Sequence, residues 1–170
     1  MPTSTYTPLA NITLGSSAAS VTFSSISQAY RDLVLVMSLK SAATGPEIPV
    51  INFNGVTTTT YSYVTAQGNG TTTRSGSYSP DTGLWTSDSY NLVSLTDFDA
   101  MVINVMDYSA TDKHKTALIR GGSTTAGNPG VTMTAGRWAS TSAITSLAVN
   151  TAYSRGWAAG STFSLFGVAA

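Results

Sequence analysis

The residues able to do acid, base or metal chemistry are few. His114 is the single histidine, and the chain has no cysteine. His114 stands between Lys113 and Lys115, next to Asp112 and beside a turn. A general base must reach the proton it takes, and a histidine in that setting reads as a solvated loop residue. A Ser-His-Asp triad would have to use it, yet no Gly-x-Ser-x-Gly elbow exists to present a nucleophile. Paired carboxylates could serve glycoside hydrolysis, and the candidates are Asp97 with Asp99 and Asp107 with Asp112. Asp97-Phe98-Asp99 falls between two strand segments, where aspartate commonly serves turns. As a calcium site it offers few of the six or more oxygens required. Gly68-Asn69-Gly70-Thr71 lacks the lysine and following helix of a phosphate loop. Without thiols, disulfides and thiolate metal sites are excluded. Asn11-Ile12-Thr13 and Asn69-Gly70-Thr71 fit the glycosylation sequon, but no secretory leader is visible and both read as chance. No catalytic residue, cofactor or metal is predicted, and the chain is expected not to be an enzyme.

Residues suited to binding are more numerous. Tyr61, Tyr63, Tyr78, Trp85 and Tyr90 fall in or near one irregular segment. Exposed Tyr and Trp favour protein and sugar recognition, so these five are candidate surface contacts. Ordinary sheet packing is the competing reading, because aromatics favour strands anyway. Trp138 and Trp157 neighbour Arg137 and Arg155; core packing accounts for them more simply than cation–π contacts. A second candidate is the N-terminal run Pro2, Thr3, Ser4, Thr5, Tyr6, Thr7, Pro8 and Leu9. Two prolines remove backbone donors and fix φ. Residues 1–9 are therefore predicted to be an extended arm that touches a partner, with one domain over 10–170.

Composition points to sheets. Hydrophobic residues make up 42% of the 170, enough to build a core. Charged residues make up 9%, against about 25% in ordinary soluble domains. Ser and Thr take their place, at roughly 30%. Glu47 is the only glutamate, whereas helix surfaces are normally filled with Glu, Lys, Gln and Arg. Net charge is zero, and the cations are scattered. No basic stripe for nucleic acid exists. No apolar run nears the roughly 20 residues of a spanning helix. A neutral, weakly charged surface favours association, which suits a subunit whose surface ends against neighbours.

The texture is short apolar runs broken by Gly, Asn, Ser, Thr and Pro, the habit of strands joined by turns. Strands are predicted at Ala10–Leu14, Ser20–Ser24, Asp32–Leu39, Ile48–Phe53, Thr60–Thr65, Tyr90–Leu95, Ala100–Tyr108, Lys115–Gly121, Val131–Ala139, Ser142–Asn150 and Thr162–Val168. Asp32–Leu39 is apolar on both faces and is placed centrally. Ser25–Tyr30 has room for one helical turn. Asn54-Gly55 is a hairpin-type turn signal. Gln67–Ser89 reads as a long excursion with short strand pieces near Tyr78 and Leu84-Trp85. The expected fold is all-β: a two-sheet antiparallel sandwich of about ten strands, jelly-roll-like by analogy with viral coat proteins.

Several segments together resemble a family of small bacteriophage virion proteins, frequent among phages of aquatic and cyanobacterial hosts. They are Ile12-Thr13-Leu14 through Ala19–Ile26 into Tyr30–Val36; Phe53-Asn54-Gly55 with Tyr61-Ser62-Tyr63; Asp107-Tyr108-Ser109 with Lys115-Thr116; and Gly136-Arg137-Trp138 with Ser140–Leu147, ending at Ala159–Val168. The likeness covers most of the chain from residue 10 onward and carries no catalytic signature. It implies a capsid decoration or cement protein, made in the host cytoplasm and placed on the capsid exterior. The implied partners are the major capsid protein and further copies of the chain, as a homotrimer, with neither nucleic acid nor membrane. Related modules in tails and fibres leave a second expectation, a head module that binds host surface glycan.

Overall fold

The computed structural model describes residues 5–88, 93–124 and 129–169. It is all-β, with no helix among the described residues. Twelve strands follow in order: β1 Tyr6–Thr13, β2 Val21–Phe23, β3 Asp32–Leu39, β4 Pro49–Phe53, β5 Tyr61–Gly68, β6 Thr73–Asp81, β7 Leu84–Trp85, β8 Asp99–Met106, β9 Lys115–Ser123, β10 Gly130–Trp138, β11 Leu147–Thr151 and β12 Thr162–Val168. They form two antiparallel sheets, one of eight strands in the order β1-β12-β3-β8-β9-β10-β5-β6, and one of four in the order β2-β11-β4-β7.

This order contains a complete jelly roll. Its eight strands are β1, β2, β3, β4, β7, β8, β11 and β12. Folding that run back on itself pairs β1 with β12, β2 with β11, β3 with β8 and β4 with β7, and all four pairs form. Two Greek-key contacts, β12 with β3 and β11 with β4, then complete sheets of four. The other four strands are two hairpins, β5-β6 and β9-β10, inserted between consecutive jelly-roll strands. They pair with each other and with β8, and double the width of one sheet.

The core lies between the sheets. Leu33, Leu35, Met37 and Leu39 of β3 and Met101, Ile103 and Val105 of β8 meet Phe23, Ile51, Phe53, Leu147 and Val149 of the smaller sheet. Gly136 marks a close approach between the sheets: a Cβ there would stand 2.6 Å from Leu84 Cδ2, so only glycine lets that leucine seat.

Strands β3 and β12 have the predicted bounds, and most others start or end within a few residues of theirs. Five local readings change. Tyr90–Leu95 is expected as a strand; in its described part Val93 makes an isolated bridge to Glu47 and Leu95 bends. Tyr6–Leu9, expected in a free arm, instead open β1 and pair with β12, with an extra residue at Leu9 between the Pro8 and Ala10 registers. Thr73–Asp81, expected to hold only a short strand piece near Tyr78, is a nine-residue strand held by β5; its Ser, Thr and Gly content shows no apolar alternation to read. Ser25–Tyr30 contains no helical turn: Ser25 sits at φ +53°, and the segment bends. Asn54 and Gly55 both take positive φ, as a type I′ turn demands. The strands on either side, β4 and β5, nevertheless lie in different sheets, because β5 is claimed by β10.

All four sheet edges are blunted. The wide sheet ends on β1, which carries Pro8 and a bulge, and on β6, which carries Pro80 and a register shift opposite Tyr61–Tyr63. The narrow sheet ends on β2, three residues long, and β7, two residues long. Proline, bulges and short strands are the ordinary protections against edge-to-edge pairing.

Candidate interaction surface

The titratable side chains divide between buried structural positions and exposed turns. Asp99 is buried. Its Oδ2 accepts from Ser94 N at 2.6 Å and Ser123 Oγ at 3.2 Å, and its Oδ1 from Thr124 N at 3.0 Å. It therefore ties the start of β8 to the end of β9. Asp97 is exposed and accepts from Thr96 Oγ1 at 2.8 Å within the same turn. Asp107, at φ +48°, pairs with Lys113 at 3.6 Å on the surface, and His114 and Asp112 are exposed beside it. Glu47 is fully buried: Oε1 accepts from Ile48 N and Tyr153 N, and Oε2 from Arg155 N, all at 2.8–2.9 Å. Lys115 is also fully buried and donates to the carbonyls of Lys113 and Thr141. Burial pulls its ammonium below the ordinary lysine value. No group of three or more potential metal ligands occurs among the described residues.

The predicted aromatic contacts separate. Tyr61 and Tyr63 are core residues, 1% and 5% exposed, and are not surface contacts. Tyr61 stacks near Trp138 at 6.3 Å, accepts from Phe53 N and donates to Val56 O, both at 3.0 Å. Period two puts residues 61, 63, 65 and 67 on the same face of β5, and that face is covered. Tyr63 stacks on Tyr78 at 4.8 Å and donates to Asp81 Oδ2 at 3.1 Å. Burial pushes its phenol well above the usual range, with the Asp81 charge adding to the effect. Tyr78 and Trp85 are half-buried and flank a cavity of about 180 Å³ with Tyr63, Asp81, Ser87 and Asp88. Tyr90 lies outside the described residues, as do Pro2, Thr3 and Ser4. Of the expected arm, Thr5 alone precedes β1 in the described chain.

A further surface feature is one that the sequence reading missed. It is the outer face of the widened sheet, away from the core. Register places three rows across β5, β10, β9 and β8: Val64, Ala135, Leu118 and Asn104; Ala66, Met133, Arg120 and Val102; Gly68, Val131, Gly122 and Ala100. Val36 of β3 continues the middle row beside Val102. Val64, Val131 and Met133 are 52%, 64% and 53% exposed. Two shallow hollows of about 690 and 530 Å³ run along this face. Arg120 and Arg137 point outward on these strands and Arg74 of β6 lines the larger hollow; no carboxylate occupies an outward position on β5, β6, β8, β9 or β10.

Strand β10 explains why the face is apolar. Its pattern is inverted: Val131, Met133 and Ala135 point to solvent, and Thr132 and Thr134 point inward. The two threonine hydroxyls are satisfied by the carbonyl of Thr86, at 3.3 and 3.1 Å, and Trp138 fills the end of the same inner face. A monomeric protein rarely leaves such a continuous apolar surface uncovered. Comparison of the chain with protein-family models, with curated proteins and with solved structures finds no match, so no family membership follows from them.

Proposed function

We propose that this chain is a bacteriophage virion structural protein that decorates and cements the capsid, seating the outer face of its widened sheet on coat subunits. One observation carries the reading: the apolar rows centred on Val64, Met133 and Leu118 of the inserted hairpins and on Val102 of the adjoining β8. The resemblance of the sequence to small phage virion proteins supports it, and so does the jelly-roll order, which recurs in viral coat and lectin domains. That second support is fold analogy alone.

The physics of the contact follows from the face. Covering a half-exposed Val or Met contributes on the order of 1 kcal/mol, so one copy holds weakly and many copies on a lattice hold firmly. Arg120 and Arg137 ask for an acidic counterpart. Two copies packed through this face would set arginines against arginines, so the occupant is coat protein, and the homotrimer contact uses other surfaces. Blunted edges remove strand addition as a mode of attachment.

The test is co-sedimentation with purified capsids of the encoding phage. The Val64→Lys, Met133→Glu double variant changes two exposed side chains and is expected to fold normally. Its capsid affinity is expected to fall at least tenfold, the equivalent of about 1.4 kcal/mol. Wild-type occupancy by a folded double variant would overturn the proposal.

A further inference from the structure

The two arginines that point out of the widened sheet have different surroundings. Arg120 stands inside the apolar field. On β9 it lies directly opposite Met133 of β10 and Val102 of β8, and Met133 is half-exposed. Residues so paired have Cβ atoms about 4.5–5.5 Å apart, so the aliphatic stem of Arg120 starts between two apolar neighbours. Arg120 also borders the hollow of about 690 Å³, where Gly68, Ala100 and Gly122 leave space for a guest. Its side chain is exposed and makes no ion pair or hydrogen bond among the described residues. Arg137 stands at the margin, between Ser62 of β5 and Thr116 of β9. No carboxylate lines either hollow.

From this contrast we infer that Arg120 is the specificity-determining residue of the face, and that it receives one carboxylate side chain of the coat subunit in the larger hollow. The inference rests on the proposed seating and adds the chemistry of what meets it. Seating strips water from a guanidinium whose neighbours are Met133 and Val102, and neither can replace that water. A buried charge without a partner is costly. A neutral acceptor opposite would supply hydrogen bonds and leave the charge uncompensated. A carboxylate supplies both, and it matches the planar fork with two parallel bonds. Arg74, on another wall of the same hollow, adds positive potential and favours a guest of the same sign. Arg137, among hydroxyl side chains at the margin, keeps its water, and charges at a rim contribute little to affinity.

The experiment is capsid co-sedimentation of Arg120→Met, Arg120→Glu and Arg137→Met beside the Val64→Lys, Met133→Glu double variant, with circular dichroism and urea midpoints to confirm folding. Arg120→Met keeps an apolar stem and removes the charge. Against a coat carboxylate it leaves that group buried and unpaired, and affinity is expected to fall by at least about thirtyfold. Against apolar or neutral groups the same change relieves a desolvation penalty, and affinity rises. The direction of the change therefore decides. Arg120→Glu sets two carboxylates together and is expected to fall further than Arg120→Met. Arg137→Met is expected to stay within about fivefold of wild type.

Unchanged or tighter binding by Arg120→Met would overturn the inference. So would an Arg120→Glu protein that binds better than Arg120→Met, or a loss in Arg137→Met as large as that in Arg120→Met. If the double variant loses affinity while Arg120→Met does not, the seating stands and the carboxylate contact falls. If the double variant binds like wild type, the seating falls and takes the carboxylate contact with it.

Discussion

At the residue scale, scarcity of charge concentrates structural work on a few groups. Glu47 holds three backbone N–H donors from two chain segments more than a hundred residues apart. Hydrogen bonds to a charged group contribute about 1.5–3 kcal/mol. Glu47→Gln turns one acceptor oxygen into an N–H₂ facing either a backbone N–H or the other two donors. The expected loss is about 2–3 kcal/mol in urea denaturation. Asp97→Asn, in an exposed turn, is expected to stay within about 0.5 kcal/mol of wild type. Equal effects for the two would contradict this division between a buried staple and a surface carboxylate. Nothing in the sequence separates them, because burial is created only when distant segments arrive.

At the element scale, β10 is the informative strand. Hydrophobicity alone would turn Val131 and Met133 inward, and the structure turns them out. The inner positions are ruled by what sits opposite. Thr86 O needs donors, Leu84 needs the empty space at Gly136, and Trp138 packs with Phe53 at 5.8 Å. Thr134→Val keeps the shape and removes a buried bond, so a loss of about 1 kcal/mol is expected. Val131→Thr, on the outer face, is expected to change stability by less than about 0.5 kcal/mol. Chemical denaturation of both variants checks the inversion; the reverse ranking would mean the strand is shifted by one residue. The same logic accounts for β6, whose serines become a strand only because β5 offers its free edge.

At the scale of the whole molecule, the jelly roll buries a set of phenols whose titration reports on global folding. Burial raises Tyr61, Tyr63 and Tyr108 above the ordinary tyrosine value. The unfolded chain releases these protons near pH 10, while the folded chain keeps them. Above pH 10 the folded state thus binds more protons, and stability falls as pH rises. Lys115 acts in the opposite sense: its lowered folded value makes stability rise with pH up to the unfolded value of 10.5. Three phenols outnumber one ammonium, so alkaline unfolding is expected above pH 10. Phenolate absorbance and loss of the β-sheet circular-dichroism signal should rise together. Full phenolate formation in a chain that remains folded would show those tyrosines to be exposed.

Much of the strand inventory was legible in the sequence, because strand formation answers to local preference. β3 is rich in Leu and Val, and β12 carries Phe and Val and alternates in burial with period two. A chain with one glutamate has little with which to clothe helices. What tertiary structure alone decided is which side of each strand faces the core. Tyr61 and Tyr63 went inward and Val64 and Met133 outward, because a strand's face is chosen by its pairing partner and by whatever covers it. Those partners come from distant parts of the chain: β1 meets β12 and β5 meets β10. Period-two patterning tells that two faces exist; only the assembled sheets tell which one is left for a partner.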